Sequence, residues 1–398
     1  MLFIKNRKNY VILVKKINNG VEMGEPLKNI YNEEFFDGFT KALKYIIADF
    51  EEEDFLSQIF DDEWENRGIK QRGEHTTKTL KNFLPSDYKS AIAKIFELIE
   101  HVKETPYWKS VKETKFGLSL EYSILSDFIE KYGLDDYKTS FKAIEEITQF
   151  TSCEGAVRPF IIKYPDQMMK QMLVWSKHEN WAVRRVSSEG CRPRLPWHMA
   201  LPNLKEDPSP IIPILENLKN DPSAIVRKSV ANNLNDIAKD NPEIVIDLAK
   251  KWQGESKNAD WIIKHGCRTL LKEGNREIMD LFGFDTIENI EIQDFHISTP
   301  KVKIGDTLEF SFKLLNNNEK KAKIRLEYGI YYQKANGTLS KKVYKISEKV
   351  YKENSITEIK RKQSFRVITT RKFHLGPHQI SIIINGYELE KYDFELID

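Results

Sequence analysis

From Glu34 to about Leu281 apolar side chains recur at helical spacing, as in Phe35, Phe36, Phe39 and Leu43 and again in Ala91, Ile92, Ile95, Leu98 and Ile99. The segment is therefore predicted to be mainly α-helical. Its second half repeats: NWAVRRVSSEG, DPSAIVRKSVANNLNDIA and NADWIIKHGCRTLL each start polar, pass through an apolar pair to a basic residue, and run on as a small or apolar helix. Arg184, Arg227 and Lys264 occupy equivalent places, 43 and 37 residues apart, within the period of HEAT-type helix pairs. A less regular unit surrounds Arg158 in CEGAVRPFIIKYP. No single pair buries its apolar face alone, so such units stack into an α-solenoid with a broad concave surface. Asp221-Pro222 and Asn241-Pro242 each read as an N-cap followed by proline at the first helical position.

After Phe284 the period changes to alternation. TLEFSFKLLNN, AKIRLEYGIYYQ, KVYKIS and HQISIIINGYEL are predicted strands, with turns at Asn336-Gly337 and Asn385-Gly386. Short strands at these intervals favour an all-β immunoglobulin-like sandwich. The expected organisation is a tail at 1–22, a HEAT-like α-solenoid at 23–288 and the sandwich at 289–398, since Met23 opens the more protein-like text MGEPLKNIYNEEFF.

Composition narrows the class. Hydrophobic residues make up 40% and charged residues 31%, mean hydropathy is -0.53, and no apolar run approaches the ~18 residues of a membrane span. Cys153, Cys191 and Cys267 lie far apart without a CxxC pair, against both a disulfide framework and a zinc site. A cytoplasmic monomer without metal or cofactor is expected. Charge is segregated. Residues 290–398 hold 20 Lys and Arg against 14 Asp and Glu, whereas the rest holds 42 against 46. Arg158 to Lys205 carries nine basic residues and three acidic ones, which suggests an anionic partner.

In a solenoid, a site is built from polar residues that successive units present to one face. Glu154, Glu189 and Asp236 come from three consecutive units, 35 and 47 residues apart, so they can converge. The competing reading pairs each with a helical neighbour, for example Glu189 with Arg185 at i,i−4. In GCRPRLPW, Gly190 reads as a helix stop, and Pro193 and Pro196 hold Arg192, Arg194 and Trp197 in a fixed relation. Arginine clamps phosphate and tryptophan offers a flat face to a base or cation. Arg184, Arg227 and Lys264 fit a structural role, pairing with an acid in the adjoining turn. Asn232 and Asn233 fit either buried helix ends or the inner surface. No P-loop, GxGxxG, HExxH or GxSxG motif is present.

The run ENWAVRRVSSEGCRPRLPW, with PSAIVRKSVANNLNDIAKDNP after it and EPLKNIYN before, resembles the AlkC branch of the alkylation-repair glycosylases over residues 24 to about 285. The resemblance implies an enzyme that hydrolyses the N-glycosidic bond of cationic alkylated bases, 3-methyladenine and 3-methylcytosine, in double-stranded DNA without flipping them into a deep pocket. It implies Glu154, Glu189 and Asp236 as active-site acids and Trp197 as an aromatic wall. Arg185, Arg192 and Arg194 are added here as phosphate contacts. A second DNA contact is expected from Lys320, Lys321, Lys341, Lys342, Lys360, Arg361, Lys362, Arg371 and Lys372, in or near predicted turns of the sandwich. The alternatives are a non-catalytic binder of damaged or branched DNA and a protein-binding HEAT scaffold.

Overall fold

The structure is a computed structural model that describes residues 26–108, 118–284, 286–367 and 372–398. The expected tail at 1–22 and Arg371 lie outside these residues. Over the described residues the chain forms two compact units, Met1–Asn241 with Ser256–Ile262, and Pro242–Glu255 with Ile263–Asp398.

The helical region is a HEAT-like solenoid. Its first part comprises α1 (Glu33–Ile46), α2 (Glu52–Ile59), α3 (Ile69–Phe83), α4 (Tyr88–Lys103), α5 (Ser123–Tyr132) and α6 (Tyr137–Ile147). Then come α7 (Val157–Lys163), α8 (Pro165–Trp175), α9 (Trp181–Glu189), the short α10 (Pro202–Glu206), α11 (Ile212–Leu218) and α12 (Ala224–Ile237). The last helices are α13 (Pro242–Trp252), α14 (Lys257–Gly266), α15 (Arg268–Glu273) and α16 (Arg276–Leu281). Side-chain caps start many of them: Asn32, Asp87, Asp136, Asn180 and Asn275 each accept a backbone N–H of the first turn. Of the predicted stripes, Phe36, Phe39 and Leu43 on α1 and Ala91, Ile92, Ile95, Leu98 and Ile99 on α4 are in the core, while Phe35 is half-buried. The Asn241-Pro242 signal starts α13 as expected. Asp221-Pro222 does not start α12: Ser223 is the N-cap, and Asp221 instead bonds the Ser223 N–H across a turn at 2.8 Å.

The repeated basic residues explain the period. Arg184 donates to the carbonyls of His178 and Glu179, six and five residues back, and Arg227 donates likewise to Asp221 and Pro222. Each thus ties down the turn before its own helix. Arg184 also forms a two-point pair with the buried Asp221 of the following unit, at 2.5 and 3.1 Å. Lys264 breaks the pattern. It pairs at 2.7 Å with Glu348 of the β-domain and lies over the rings of Phe282 and Phe284.

The β-domain has two sheets, one of β1 (Ile290–Ile297), β3 (Thr307–Asn316) and β6 (Ser355–Ser364), the other ordered β2 (Lys301–Lys303), β8 (Tyr387–Ile397), β7 (Gly376–Ile384), β4 (Ala322–Gln333), β5 (Leu339–Tyr351). The strands pair antiparallel except β2 with β8, and the sheets close over Phe310, Phe312, Ile324, Leu326, Ile380 and Ile382. Asn385 and Gly386 both take positive φ, as a tight primed hairpin requires. Within the second compact unit, Gly386 meets Gly274, where a Cβ on Gly274 would come within 2.7 Å of the Gly386 carbonyl oxygen. Lys323 also donates to the Phe282 carbonyl at 2.6 Å. The end of the helical region and the sandwich are thus packed backbone to backbone, with glycine obligatory at the contact.

Glu348 sits among Lys264, Arg325 and Lys345. Burial alone would raise its pKa, but the hydrogen bonds and charges of Lys264 and Lys345 outweigh it and bring the carboxyl down to about 2. A carboxylate lowered in the folded state stabilises the fold above its unfolded pKa, and that contribution is lost as pH falls towards the folded value. Glu348→Gln is therefore expected to cost about 1–3 kcal/mol at pH 7 and much less near pH 2.5, by urea unfolding followed at both pH values. An equal loss at both would remove the ion cluster as its cause.

Candidate active site

Glu189 is the last residue of α9 and Asp236 the penultimate residue of α12, and the two helices pack against each other. Carboxylates at helix C-termini face the negative end of the macrodipole, which disfavours them by a few tenths of a kcal/mol or more. Arg192 holds both. Its Nη1 donates to Glu189 Oε1 at 2.6 Å and its Nε to Asp236 Oδ2 at 2.8 Å. Lys239 adds a contact to Asp236 Oδ1 at 3.0 Å. Beneath the pair, Ser229 Oγ donates to Ser188 Oγ at 3.0 Å and Asn233 Nδ2 to the Ser188 carbonyl at 2.8 Å, a buried staple that fixes the register of α9 on α12. Asn233 therefore serves a buried helix end.

Glu154 lies in the turn before α7. Arg185 binds it at 3.0 and 3.3 Å and bonds Ser152 Oγ at 2.6 Å, while the Glu189 carboxylate also acts on this guanidinium. Arg185 turns to Glu154 and not, as the helical-neighbour reading has it, to Glu189. Burial opposes ionisation of Glu154, yet the Arg185 charge and hydrogen bonds overcome it and hold the carboxyl below the usual range. The three acids and two arginines form one alternating series, Glu154, Arg185, Glu189, Arg192, Asp236.

The loop after α9 carries the remaining candidates. Gly190 ends the helix with an ordinary right-handed φ of −68, so it is not a left-handed stop. Space selects it: a Cβ there would lie 2.3 Å from Val157 Cγ2 and 2.9 Å from the Val186 carbonyl. Trp197 is 63% exposed at φ 69, a left-handed conformation that a bulky residue adopts only at a cost of about 1–2 kcal/mol. An open cleft of about 370 Å³ separates it from Gly68, Ile69, Lys70 and Gln71 at the start of α3. Among the expected phosphate contacts, Arg192 is only 7% exposed and is occupied by the two acids, and Arg185 is occupied by Glu154. Arg194 is exposed and pairs with Asp240 at 2.6 and 3.0 Å, which leaves its guanidinium at the surface.

Two family models match. One, "DNA alkylation repair enzyme", covers residues 47–270, and the other, "Uncharacterised protein YhaZ, C-terminal Ig-like domain", covers 291–398. Uncharacterized protein YhaZ of Bacillus subtilis (strain 168) is 39% identical over 370 residues, 93% of this chain and 99% of that one. This chain belongs to the DNA alkylation repair enzyme family. Among solved structures, the alkylpurine DNA glycosylase AlkC of Pseudomonas fluorescens, bound to DNA containing an abasic site analog, superposes with a TM-score of 0.85 at 30% identity, over 94% of this chain and 100% of that one.

Within this alkylation-repair scaffold the structure adds residues that pattern alone did not single out. Asp127 and Glu130, one turn apart on α5, are half-buried without a hydrogen bond or ion pair among the described residues. Burial raises them to about 6 and about 7, opposed by the charge of Lys70. In sequence they read as an ordinary polar helix face, so no signal marked them. No group of three or more His, Cys, Asp or Glu among the described residues is placed to hold a metal ion. No described helix is long and apolar enough to cross a membrane.

The β-domain lysines divide by position. Lys320 and Lys321 stand in the β3–β4 turn and Lys372 in the segment before β7, as expected. Lys341 and Lys342 are on β5, and Lys360, Arg361 and Lys362 on β6, so these five are on strands and not in turns. β5 and β6 each form one edge of their own sheet and follow one another in the chain. Lys341, Lys360 and Lys362 pair with Glu388, Glu358 and Glu309. Surface pairs of this kind are weak and exchange readily for an outside anion.

A carboxyl raised in the folded state keeps its proton longer than in the unfolded chain, so stability falls as pH climbs from the ordinary carboxyl range through the raised pKa. Glu130→Gln is thus expected to stabilise the protein by about 1–2 kcal/mol at pH 8, with no gain at pH 4. Chemical unfolding at the two pH values checks it, and an equal change at both would show that ionisation is not involved.

Proposed function

We propose that this protein is a DNA glycosylase that excises cationic alkylated bases, 3-methyladenine and 3-methylcytosine, from double-stranded DNA by hydrolysing the N-glycosidic bond. The observation that carries it is the convergence of three carboxylates on two guanidiniums, within a chain that matches a DNA-bound alkylpurine glycosylase along almost its whole length. An N3-methylated base already carries positive charge and leaves with the bonding electron pair without help from a general acid. The sugar becomes oxocarbenium-like as the bond breaks, and a fixed carboxylate close to C1′ lowers the energy of that state.

The acids divide by surroundings. Asp236 is 2% exposed with both oxygens engaged by Arg192 and Lys239, so it acts through its field. Glu189 gives only Oε1 to Arg192, and its other oxygen has no hydrogen bond among the described residues. That oxygen is assigned the attacking water, which adds to C1′ of the sugar as the base departs and passes its proton to the carboxylate. Glu154 adds a third negative charge beyond Arg185. Trp197 supplies an exposed aromatic face to the sugar or the cationic base. Arg192 is assigned to the carboxylates and Arg194 to a phosphate. The exposed margin of β5 and β6, with Lys320, Lys321 and Lys372, is assigned a second contact with the DNA backbone.

Asp236→Asn and Glu189→Gln are each expected to slow single-turnover excision about 100-fold while leaving affinity for methylated DNA within a few-fold. Wild-type rates in both variants would leave a DNA binder without this chemistry, and no base released by the wild-type protein would remove the enzyme altogether. For the β-domain, Lys342→Ala combined with Arg361→Ala in the full chain should reduce the salt dependence of DNA binding by about two units of slope. An unchanged slope would return these residues to the role of edge charges that block strand pairing.

A further inference from the structure

Building on the glycosylase assignment, we propose that Arg158 is a positioning residue that ties both ends of the loop after α9 to α7, and thereby sets Arg192 and Trp197 for the reaction. Arg158 is fully buried, yet no carboxylate pairs with it among the described residues. It donates only to backbone carbonyls: Nε to Met199 at 2.6 Å, and Nη1 to Gly190 and Arg192 at 2.8 Å each. Nη2 has no hydrogen-bond partner among the described residues. Gly190 and Arg192 stand at the entrance of the loop and Met199 at its exit. One planar fork therefore closes the segment that carries Pro193, Pro196 and Trp197.

A cation buried against carbonyls alone is a costly way to satisfy them. Burial pushes the Arg158 guanidinium down to about 10, and it remains charged at neutral pH. What the fork adds is geometry. The loop has few bonds of its own, from the Leu201 N–H to the Pro193 carbonyl at 3.1 Å and from the His198 N–H to the Leu195 carbonyl at 3.4 Å. They do not by themselves account for a tryptophan held left-handed and exposed. Arg192 is held at its backbone by Arg158 and at its side chain by Glu189 and Asp236. Glu154 lies four residues before Arg158, so loop and acids share one reference. A displacement of about 1 Å at such a site is enough to cost about 100-fold in rate.

Arg158→Lys keeps the charge but loses the fork, and Arg158→Gln keeps two donors without the charge. The decisive measurements are hydrogen exchange at His198 and Leu201, single-turnover excision, DNA affinity, and a double-mutant cycle with Trp197→Ala. In the folded variants exchange at the two amides should be at least about 10-fold faster. Excision should be about 10- to 100-fold slower with affinity within a few-fold, and Arg158→Lys should add little to the loss caused by Trp197→Ala. Unchanged exchange and excision in either folded variant, or a loss additive with Trp197→Ala, would overturn the assignment. Absence of excision in the wild-type protein would sink the glycosylase assignment instead, while exchange would still test the clamp.

Discussion

Two neighbouring helices end in carboxylates, and each end already carries the partial negative charge of its own unpaired carbonyls. Left alone, Glu189 and Asp236 would repel one another and the helix termini alike. The Arg192 guanidinium between them turns the repulsion into a bridge, with 2.6 and 2.8 Å contacts to acids from different repeats. Removing one member leaves a nearly buried charge without its partner, which is expensive. The bridge joins the C-terminal ends of α9 and α12, while Ser188, Ser229 and Asn233 link the same helices and Arg158 bonds both ends of the loop after α9. Well-packed apolar side chains would hold the helices at lower cost, so stability alone does not account for the arrangement.

The solenoid makes such a bridge possible. Arg184 and Arg227 each fasten the turn before their own helix, so successive repeats present equivalent positions to one face. The Ser188, Ser229 and Asn233 staple then sets the register within the pair. Where the series ends, Lys264 finds its partner in the β-domain in place of another repeat. The sandwich therefore completes the last helices, and a chain cut at residue 288 would strip Lys264 of Glu348, the Phe282 carbonyl of Lys323 and Gly274 of Gly386. The contribution of the sandwich to DNA binding is better separated by surface substitutions than by truncation.

In the proposed reaction the acids act by position more than by surplus charge. Glu154, Glu189 and Asp236 face Arg185, Arg192 and Lys239, and Glu189 and Asp236 are nearly buried, where a field is weakly screened. A base that is already cationic needs electrostatic support at the sugar more than a proton at the base. The exposed Trp197 lies beside an open cleft lined by the start of α3, where a large partner can reach it.

The sequence by itself determined the helical and β regions and the repeat period, and it named three acids, Glu154, Glu189 and Asp236, that the fold links through Arg185 and Arg192. Apolar spacing is a local property that burial later enforces, as the α1 and α4 stripes demonstrate. β6 escaped because an exposed edge strand has little need for alternating apolar residues: Ser355–Ser364 buries only Ile359. Which charges pair was beyond the sequence. Arg185 had Glu189 within helical reach and took Glu154, and Arg192 left the phosphate expected of it for two acids. Asp127, Glu130 and Arg158 acquired their character only from burial. Periodicity is written along one dimension, whereas an ion pair or a raised pKa depends on which distant segment arrives alongside and how much water it displaces, and tertiary packing alone decides that.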